Sequence, residues 1–313
     1  MKTHLKQFGK DALIYGAGNV AARAVGFLLL PVYTRIFSPS EYGIIEMMMV
    51  LVNALGLVVV MGMDSAQSYY YFQEKGRGAA AQARVVTAVM QWQLCMGTVV
   101  VIVGTLASPL LNVFFFGGGL SWKYFALAFA GGLFFQFMNE SAQIFRLLYK
   151  PWPYLVITLT QTLVSAGVTI ALVIIFKSGV LGFLIGFGGG SLIAALAGWW
   201  AIRSRLDWSW HGGWWPRLAR FGAPLVPAAL AMYILNTTDR WFISAYHDQA
   251  ALGLYAVGAK FAMVMGAIVI PFRLAWMPVA MEALRGENGR ELFRTISRAY
   301  LGIGVSGVVL LGA

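Results

Sequence analysis

The sequence predicts an all-α polytopic membrane protein, on three observations. Of the 313 residues, 59% are apolar and only 11% are charged, against roughly 25% charged residues in soluble domains. The mean hydropathy is +0.73. Apolar runs long enough to cross a hydrocarbon core of about 30 Å as helices recur along the whole chain. So few charges cannot supply a water-facing surface, which excludes a soluble enzyme.

Eight complete membrane spans are expected, because a spanning helix needs about 20 apolar residues. They fall at about 12–36, 44–63, 86–108, 122–148, 153–176, 180–202, 218–245 and 252–281. A ninth apolar run begins near 297 and is still apolar at the final residue, Ala313.

The basic residues predict the orientation of these spans. With a cytoplasmic N-terminus, sixteen of them fall in inner segments and only three, Arg35, Lys123 and Lys177, in outer segments. The sixteen are Lys2, Lys6, Lys10, Lys75, Arg77, Arg84, Arg146, Lys150, Arg203, Arg205, Arg217, Arg220, Arg285, Arg290, Arg294 and Arg298. This asymmetry is the positive-inside pattern of an inner-membrane protein.

The same pattern explains the formal net charge of +11, so no nucleic-acid partner is predicted. The single cysteine, Cys95, excludes a disulfide framework within the chain and any multi-cysteine metal site. His4, His211 and His247 are scattered without the spacing of metal ligands. We therefore predict neither a metal nor a cofactor.

Six charged residues remain inside the predicted spans. The bases are Arg23, Arg240, Lys260 and Arg273, and the acids are Glu140 and Asp239. A charge at mid-helix costs about 3 kcal/mol on insertion scales, so these groups must pair, snorkel or face a polar interior. A structural ion pair is the alternative for any one of them, whereas the set favours a functional cavity. The surplus of 4 − 2 = +2 charges suits an anionic substrate group.

One of the acids, Asp239, is a candidate for specific pairing. Asp239 and Arg240 are consecutive, so their side chains leave the helix about 100° apart. We expect Asp239 to pair with Lys260 or a nearby base and Arg240 to be freer.

Helix breakers occur in the spans that carry these charges. Pro31 lies in the first span, Pro224 and Pro227 in the seventh and Pro271 in the eighth. Such residues are tolerated where freed backbone groups line a cavity or where a helix bends during gating. Tight packing of small residues is the alternative, since Gly18, Ala22 and Gly26 form a small-residue stripe.

A weak internal repeat relates the two ends of the chain. Leu218-Ala-Arg-Phe221-Gly222 is similar to Leu5-Lys-Gln-Phe8-Gly9, and Leu252-Gly253-Leu254-Tyr255 is similar to Tyr42-Gly43-Ile44-Ile45. The offsets are 213 and 210 residues, and six spans separate the copies. An even number predicts parallel six-helix repeats, an internal symmetry typical of transporters. We expect an N-terminal lobe over 1–205 and a second lobe from 206 to 313.

Four segments resemble polysaccharide flippases of the multidrug/oligosaccharidyl-lipid/polysaccharide exporter superfamily. They are Pro31-Val-Tyr33-Thr-Arg35-Ile-Phe-Ser-Pro39-Ser-Glu41-Tyr42-Gly43, Arg146-Leu-Leu-Tyr149, Phe221-Gly-Ala-Pro224-Leu-Val-Pro227, and Asn236-Thr-Thr-Asp239-Arg240-Trp-Phe-Ile with Leu252-Gly253-Leu-Tyr255-Ala-Val-Gly-Ala-Lys260. The resemblance implies two six-helix lobes, a cationic cavity between them and alternating access. Family members carry about twelve to fourteen helices, so the second lobe is expected to be incomplete here and the chain to be a fragment.

The resemblance further implies transport of undecaprenyl-pyrophosphate-linked oligosaccharides for O-antigen, capsule or exopolysaccharide. Arg23, Arg240, Lys260 and Arg273 become candidates to bind the pyrophosphate or acidic sugars. Asp239 and Glu140 become candidates for coupling to protons or sodium ions. Membrane lipids and polysaccharide assembly proteins are the other expected partners.

Three alternatives remain open. A lipid II flippase or a drug exporter would share the superfamily. A membrane polymerase or ligase would need catalytic groups on outer loops, which here offer little beyond Arg35, Glu41, Glu46, His247 and Asp248. A structural membrane subunit without transport would not explain the buried charges.

Overall fold

A computed structural model describes residues 24–262 of the chain, and within that range all regular structure is helical. Helical residues 24–28 come first. Ten helices follow with these bounds: α1 Leu30–Ile36, α2 Pro39–Val60, α3 Met63–Gln73, α4 Ala79–Leu106, α5 Ser108–Phe116, α6 Trp122–Leu147, α7 Pro151–Phe176, α8 Gly179–Ile202, α9 Trp215–Gly222 and α10 Val226–Tyr246. An eleventh, α11, covers 249–262.

The predicted multi-pass helical fold is confirmed. Five helical stretches in the described range are long and apolar enough to cross a membrane, namely Pro39–Arg77, Ala79–Leu106, Pro151–Phe176, Gly179–Arg205 and Gly212–Tyr246. Helix α6 has the length of the shortest of them, 26 residues, but Gln136, Asn139, Glu140 and Gln143 make it less apolar. The predicted span at 12–36 is described only from residue 24, and the run beginning near 297 lies outside the described residues.

Local signals place the helix ends. Ser38 caps α2 through a capping box, in which the Glu41 amide donates to Ser38 Oγ and the Ser38 amide donates to Glu41 Oε2. Pro39 follows at the first helical position, where its missing N–H costs nothing. The helix therefore begins five residues before the predicted start at 44, and Glu46 lies within it.

Two of the long helical stretches are broken. The stretch Pro39–Arg77 breaks at Met61 and Gly62, which both adopt left-handed backbone angles between α2 and α3. The stretch Gly212–Tyr246 breaks at Ala223–Leu225, a single 3₁₀ turn between α9 and α10. The two breaks touch, because a Cβ built on Gly222 would lie 2.8 Å from the Gly62 carbonyl oxygen. A side chain at Gly62 would be doubly excluded, by this contact and by its φ of +74°.

Helix α6 is the centre of the helical bundle formed by the described residues 24–262. It contacts α2, α4, α7 and α8, and its buried residues include Phe125, Phe137 and Met138. Around its second half a continuous apolar core includes Tyr71, Val86, Tyr154 and Ile202 from four neighbouring elements. Burial on several sides is what allows a helix as polar as α6 to be retained in a membrane bundle.

The bundle has two ends, which we name by residues. At the Pro39 end, the turns at 37–38, 117–121, 177–178 and 247–248 connect successive helices. At the Gly78 end lie the connections at 74–78, 148–150 and 203–214. Gly179 lies against the Glu41 side chain at the first end, and the Asp207 amide donates to Thr87 Oγ1 at the second.

The chain divides into two compact units, Met1–Leu254 and Tyr255–Ala313. All contacts described below lie within the first unit. Of the second unit, the structure describes the helical residues 255–262, which carry Lys260.

Candidate functional site

The candidate site is the seam where α10 lies along α2. The Tyr233 hydroxyl on α10 donates to the Val50 carbonyl oxygen at 3.0 Å. Towards the Pro39 end, Ser244 Oγ and Gln249 Nε2 both donate to the Phe115 carbonyl oxygen at the end of α5. These bonds align α10 against α2 and α5 along much of its length.

Arg240 lies in this seam and is only 7% exposed. Its Nε donates to Glu46 Oε1 on α2 at 2.9 Å. Its Nη1 donates to the Asn236 carbonyl oxygen at 2.8 Å and to Asp239 Oδ1 at 3.2 Å. A guanidinium needs this many acceptors when it is taken out of water, because an unpaired buried charge is costly.

The expectation that Arg240 is freer than Asp239 is wrong. Although consecutive side chains leave a helix about 100° apart, the long arginine side chain curls back and forms an ion pair with Asp239. The Asp239 carboxylate also accepts from the Arg240 backbone amide at 2.9 Å. The predicted pair of Asp239 with Lys260 stays a prediction.

Glu46 is the site residue that the sequence analysis missed. It was grouped with the outer loops, whereas it is the eighth residue of α2, about 10 Å along the helix from Pro39 at 1.5 Å per residue. Its side chain is 15% exposed. The Ser38–Glu41 capping box was the available signal, because it starts the helix at Pro39 and so places Glu46 well inside the helix rather than near its start.

Adding Glu46 changes the charge balance inside the spans. The six predicted residues give +2, so with Glu46 the sum is 4 − 3 = +1. Arg23 and Arg273 lie outside the described residues. The described members are two bases and three acids, so their formal charges sum to 2 − 3 = −1. They are Arg240, Lys260, Glu46, Asp239 and Glu140. The surplus of positive charge therefore depends on the two bases that the structure does not describe.

Glu140 forms a separate buried site inside the bundle, where it is 3% exposed. Its Oε1 accepts from Gln67 Nε2 on α3, and its Oε2 accepts from Gln93 Nε2 on α4 at 2.9 Å. Within residues 24–262 no basic side chain forms an ion pair with it. The structural ion pair considered for this residue is thus replaced, in the described range, by two neutral amide donors.

The repeat-related glycines meet at the Pro39 end. A Cβ built on Gly43 would overlap the Gln249 carbonyl oxygen, and a Cβ built on Gly253 would overlap the Pro39 carbonyl oxygen. At the repeat offset of 210 residues, Gln249 is equivalent to Pro39 and Gly253 is equivalent to Gly43. Gly43 therefore lies against the equivalent of Pro39, and Gly253 lies against Pro39 itself. Reciprocal contacts of this kind are those of a twofold interface, and they support the internal repeat.

Three of the four predicted helix breakers lie in the described range, each at a helix start. Pro31 is in the first turn of α1, directly after a turn at Leu29 that interrupts the first span. Pro224 lies in the 3₁₀ turn and Pro227 in the first turn of α10. Pro271 lies outside the described residues. A gating role for these prolines stays a prediction.

The connection before α9 is fixed to the Gly78 end of α4. Its backbone bonds the side chains of Thr87 and Gln91. Hydrogen bonds from the side chain and then the backbone of Ser209, together with His211, hold the pKa of the exposed Asp207 carboxyl below its usual range. Within the described range, no group of three or more His, Cys, Asp or Glu side chains is placed to hold a metal ion.

Comparison with known proteins shows which family the chain belongs to. The model of the family described as "Polysaccharide biosynthesis protein" matches residues 8–284. The chain belongs to that family.

Relatives of this polysaccharide biosynthesis protein occur in Haemophilus influenzae. "Lsg locus putative protein 1" is 24% identical over 287 residues, and an "Uncharacterized membrane protein" is 22% identical over 286 residues. Each alignment covers 88% of this chain and 66% of the relative. The chain thus spans about 66% of the length of these curated relatives.

A solved structure shows the same fold. It is the inward-facing conformation of a multidrug resistance MATE family transporter of the MOP superfamily, with a TM-score of 0.55 at 14% identity. The match covers 76% of this chain and 58% of the transporter. The chain therefore shares the fold of that transporter, and the predicted membership of a polysaccharide biosynthesis family is confirmed.

Proposed function

We propose that this polysaccharide biosynthesis protein flips undecaprenyl-pyrophosphate-linked oligosaccharides across the bacterial cytoplasmic membrane. The products would be O-antigen, capsule or exopolysaccharide. The observation that carries the proposal is Arg240, a guanidinium buried between α2 and α10 in a member of the polysaccharide biosynthesis family. Transport requires no bond-making step, since the substrate crosses when the lobes rock around a fixed site.

Arg240 is proposed to bind the pyrophosphate, together with Arg23, Lys260 and Arg273. Guanidinium groups bind phosphate oxygens through paired, charge-assisted hydrogen bonds, and a site withdrawn from water strengthens those bonds. Arg240 already binds one carboxylate from another helix and one from its own. It is therefore positioned for anions at the depth where the two proposed lobes, 1–205 and 206–313, adjoin.

Asp239 and Glu140 are proposed to couple transport to a proton or sodium ion. Asp239 touches Arg240 directly, so its charge balance changes when an anion reaches that guanidinium. Glu140 is buried with amide donors from α3 and α4, and such intramembrane acids are typical of ion relays. Pro31, Pro224, Pro227 and Pro271 are proposed as bending points.

The proposed orientation follows the basic residues, with the N-terminus and the Gly78 end in the cytoplasm. The Gly78 end carries Lys75, Arg77, Arg84, Arg203 and Arg205, as the positive-inside rule requires. The Pro39 end would then face away from the cytoplasm, and polysaccharide assembly proteins would meet the product there.

Replacement of Arg240 tests the proposal. In cells that lack the chromosomal gene, the natural gene product carrying Arg240→Gln should lose glycan export by about tenfold or more, the value of one charge-assisted hydrogen bond. Arg203→Ala, an exposed base at the Gly78 end, is the matched control and should export normally. Surface glycan is measured by blotting, and membrane insertion by the amount of protein in the membrane fraction.

The accumulated precursor separates the alternatives. Build-up of undecaprenyl-linked oligosaccharide units in the inner leaflet supports the proposal. Build-up of peptidoglycan precursors would instead indicate a lipid II flippase, and altered drug tolerance with normal glycan would indicate a drug exporter. Precursors that reach the outer leaflet but stay short would indicate a polymerase or ligase. Normal export by both Arg240→Gln and Lys260→Ala would remove these bases from the site.

A further inference from the structure

We propose that Glu46 occupies the substrate-binding guanidinium of Arg240 when no substrate is bound, and that the anionic group of the substrate displaces it. The inference rests on the proposed function, because it assumes that Arg240 binds the substrate anion. It assigns a specificity-determining role to a residue on α2 that was not among the predicted site residues.

The geometry is that of an anion site already filled by a side chain. Glu46 Oε1 accepts from Arg240 Nε at 2.9 Å, the usual length of a charge-assisted bond. The Arg240 side chain is 9% exposed and that of Glu46 is 15% exposed. A carboxylate and a phosphate present oxygens of similar spacing to a guanidinium, so one group can take the place of the other.

The two carboxylates around Arg240 differ in how they are attached to it. Asp239 is the adjacent residue and also binds the Arg240 backbone amide, so it moves with the guanidinium. Glu46 is 194 positions away in sequence and is carried by another helix. The Glu46 contact, unlike the Asp239 contact, is lost when α2 and α10 separate, which makes Glu46 the exchanging partner.

Charge explains why an exchange is required rather than simple addition. Glu46, Asp239 and Arg240 together carry 1 − 2 = −1. Each of the two carboxylates repels a pyrophosphate brought to Arg240, because like charges at short range repel strongly where water is excluded. Withdrawal of Glu46 removes one of these repulsions, and the arginine regains a donor for the ligand.

Two properties of the transporter follow from the exchange. The bond that the substrate breaks joins α2 to α10, so anion binding also loosens the seam between the proposed lobes. A lipid without an anionic group cannot form a charge-assisted hydrogen bond with Arg240 in place of the one that Glu46 forms. Glu46 therefore selects for a charged headgroup and against neutral polyprenyl lipids.

The test uses the purified 313-residue chain in nanodiscs of neutral phosphatidylcholine. Binding of farnesyl pyrophosphate, inorganic pyrophosphate and farnesol is measured by calorimetry for the native chain, Glu46→Gln, Arg240→Gln and the double variant. Glu46→Gln should bind both pyrophosphates about tenfold more tightly, since one competing charge-assisted bond is removed. Farnesol binding should not change.

A matched control addresses net charge alone. Asp64→Asn removes one negative charge from an exposed position on α3 and should leave pyrophosphate affinity at the native value. In the Arg240→Gln background, adding Glu46→Gln should bring no gain, because the competing contact is already absent. Gel filtration and thermal unfolding establish that each variant is folded, and Glu46→Ala replaces Glu46→Gln if the latter is not.

The outcomes separate the inference from the proposed function. Undiminished pyrophosphate binding by Arg240→Gln would overturn the proposed substrate site itself. Weakened binding by Arg240→Gln, with no gain in Glu46→Gln and Glu46→Ala, would leave that site standing and overturn the exchange. An equal gain for farnesol, or for Asp64→Asn, would also overturn it. A gain for inorganic as well as farnesyl pyrophosphate assigns recognition to the phosphates, and a gain confined to the farnesyl compound assigns it to the phosphates of a lipid.

Discussion

Single buried acids show how differently the same residue type can be held within this bundle. Glu46 forms an ion pair with Arg240, whereas Glu140 is bound by the amides of Gln67 and Gln93. Both carboxylates meet the requirement that a buried polar group be hydrogen-bonded. The first contact is the one proposed to be exchanged for another anion, while the second fastens α3 and α4 to α6.

Replacing Glu140 should destabilise the bundle. Glu140→Ala leaves two buried amide groups without acceptors, and each unsatisfied donor costs about 1–3 kcal/mol. Glu140→Gln keeps one carbonyl acceptor and should lose less. The measurement is the fraction of monodisperse protein after heating in detergent, scored by gel filtration. Equal heat resistance of Glu140→Ala and the native chain would contradict a structural role for these bonds.

The sequence allowed the burial of Glu140 to be predicted but not its partners. An acid within an apolar run must face away from lipid, and that argument needs no structure. The two glutamines precede it by 73 and 47 residues, and nothing in one sequence relates residues so far apart. Glu46 was missed for a different reason, because it lies close to the start of the predicted span 44–63 and was therefore counted with the outer loop.

At the scale of helices, small residues determine the closest contacts. Gly182, Gly186 and Gly190 occur every four residues on α8, and a Cβ on any of them would collide with α7 or the turn that ends it. Such stripes let two backbones approach closely in a membrane, where apolar side chains have no advantage over lipid. The pair α7–α8 is thereby joined more closely than larger residues would allow.

Neighbouring glycines of α8 give a matched pair of substitutions. A Cβ at Gly190 would lie 2.8 Å from Ser165 Cα, whereas a Cβ at Gly189 would meet nothing within 4 Å. Gly190→Ala should destabilise the bundle by about 1–3 kcal/mol through overpacking. Gly189→Ala should be neutral or slightly stabilising, because alanine is the better helix former. Thermal unfolding in detergent ranks the two, and an equal effect would contradict the close approach of α7 and α8.

Helix bounds were predictable where turn chemistry is local. The span predicted at 153–176 is observed as Pro151–Phe176, and that at 180–202 as Gly179–Ile202, because Lys150-Pro151 and Ser178-Gly179 mark the turns. The break at Met61 and Gly62 was not predicted. A glycine inside an apolar run is compatible with an unbroken helix, and only the approach of Gly222 shows why the chain turns there.

At the scale of the whole molecule, the contact of Gly43 with Gly253 determines how close the two repeats come at the Pro39 end. The Cβ position of Gly43 is 3.1 Å from the Gly253 backbone nitrogen, so the helices touch through their backbones. The repeat could be detected in the sequence as a weak similarity. The contact between its two copies could not be predicted, because sequence similarity carries no information on the distance between two segments.

Enlarging one of these glycines should impair transport. Gly253→Ala would force the start of α11 away from α2, so the Pro39 end could no longer close as it does here. Glycan export by the natural gene product should fall by about tenfold, for an overpacking cost of 1–3 kcal/mol in that conformation. Gly258→Ala, on the same helix with nothing within 4 Å of its Cβ position, is the control. Full export by Gly253→Ala would show that this contact is not formed during transport.

The meeting of the two glycines also constrains how this protein can evolve. In an ordinary core, a larger residue on one side can be accommodated by a smaller one opposite, and a lineage drifts through such exchanges. Glycine is already the smallest residue on both sides, so neither half can compensate for a change in the other. The two positions are therefore expected to be inherited as an unvarying pair, even as the sequences of the two repeats diverge around them.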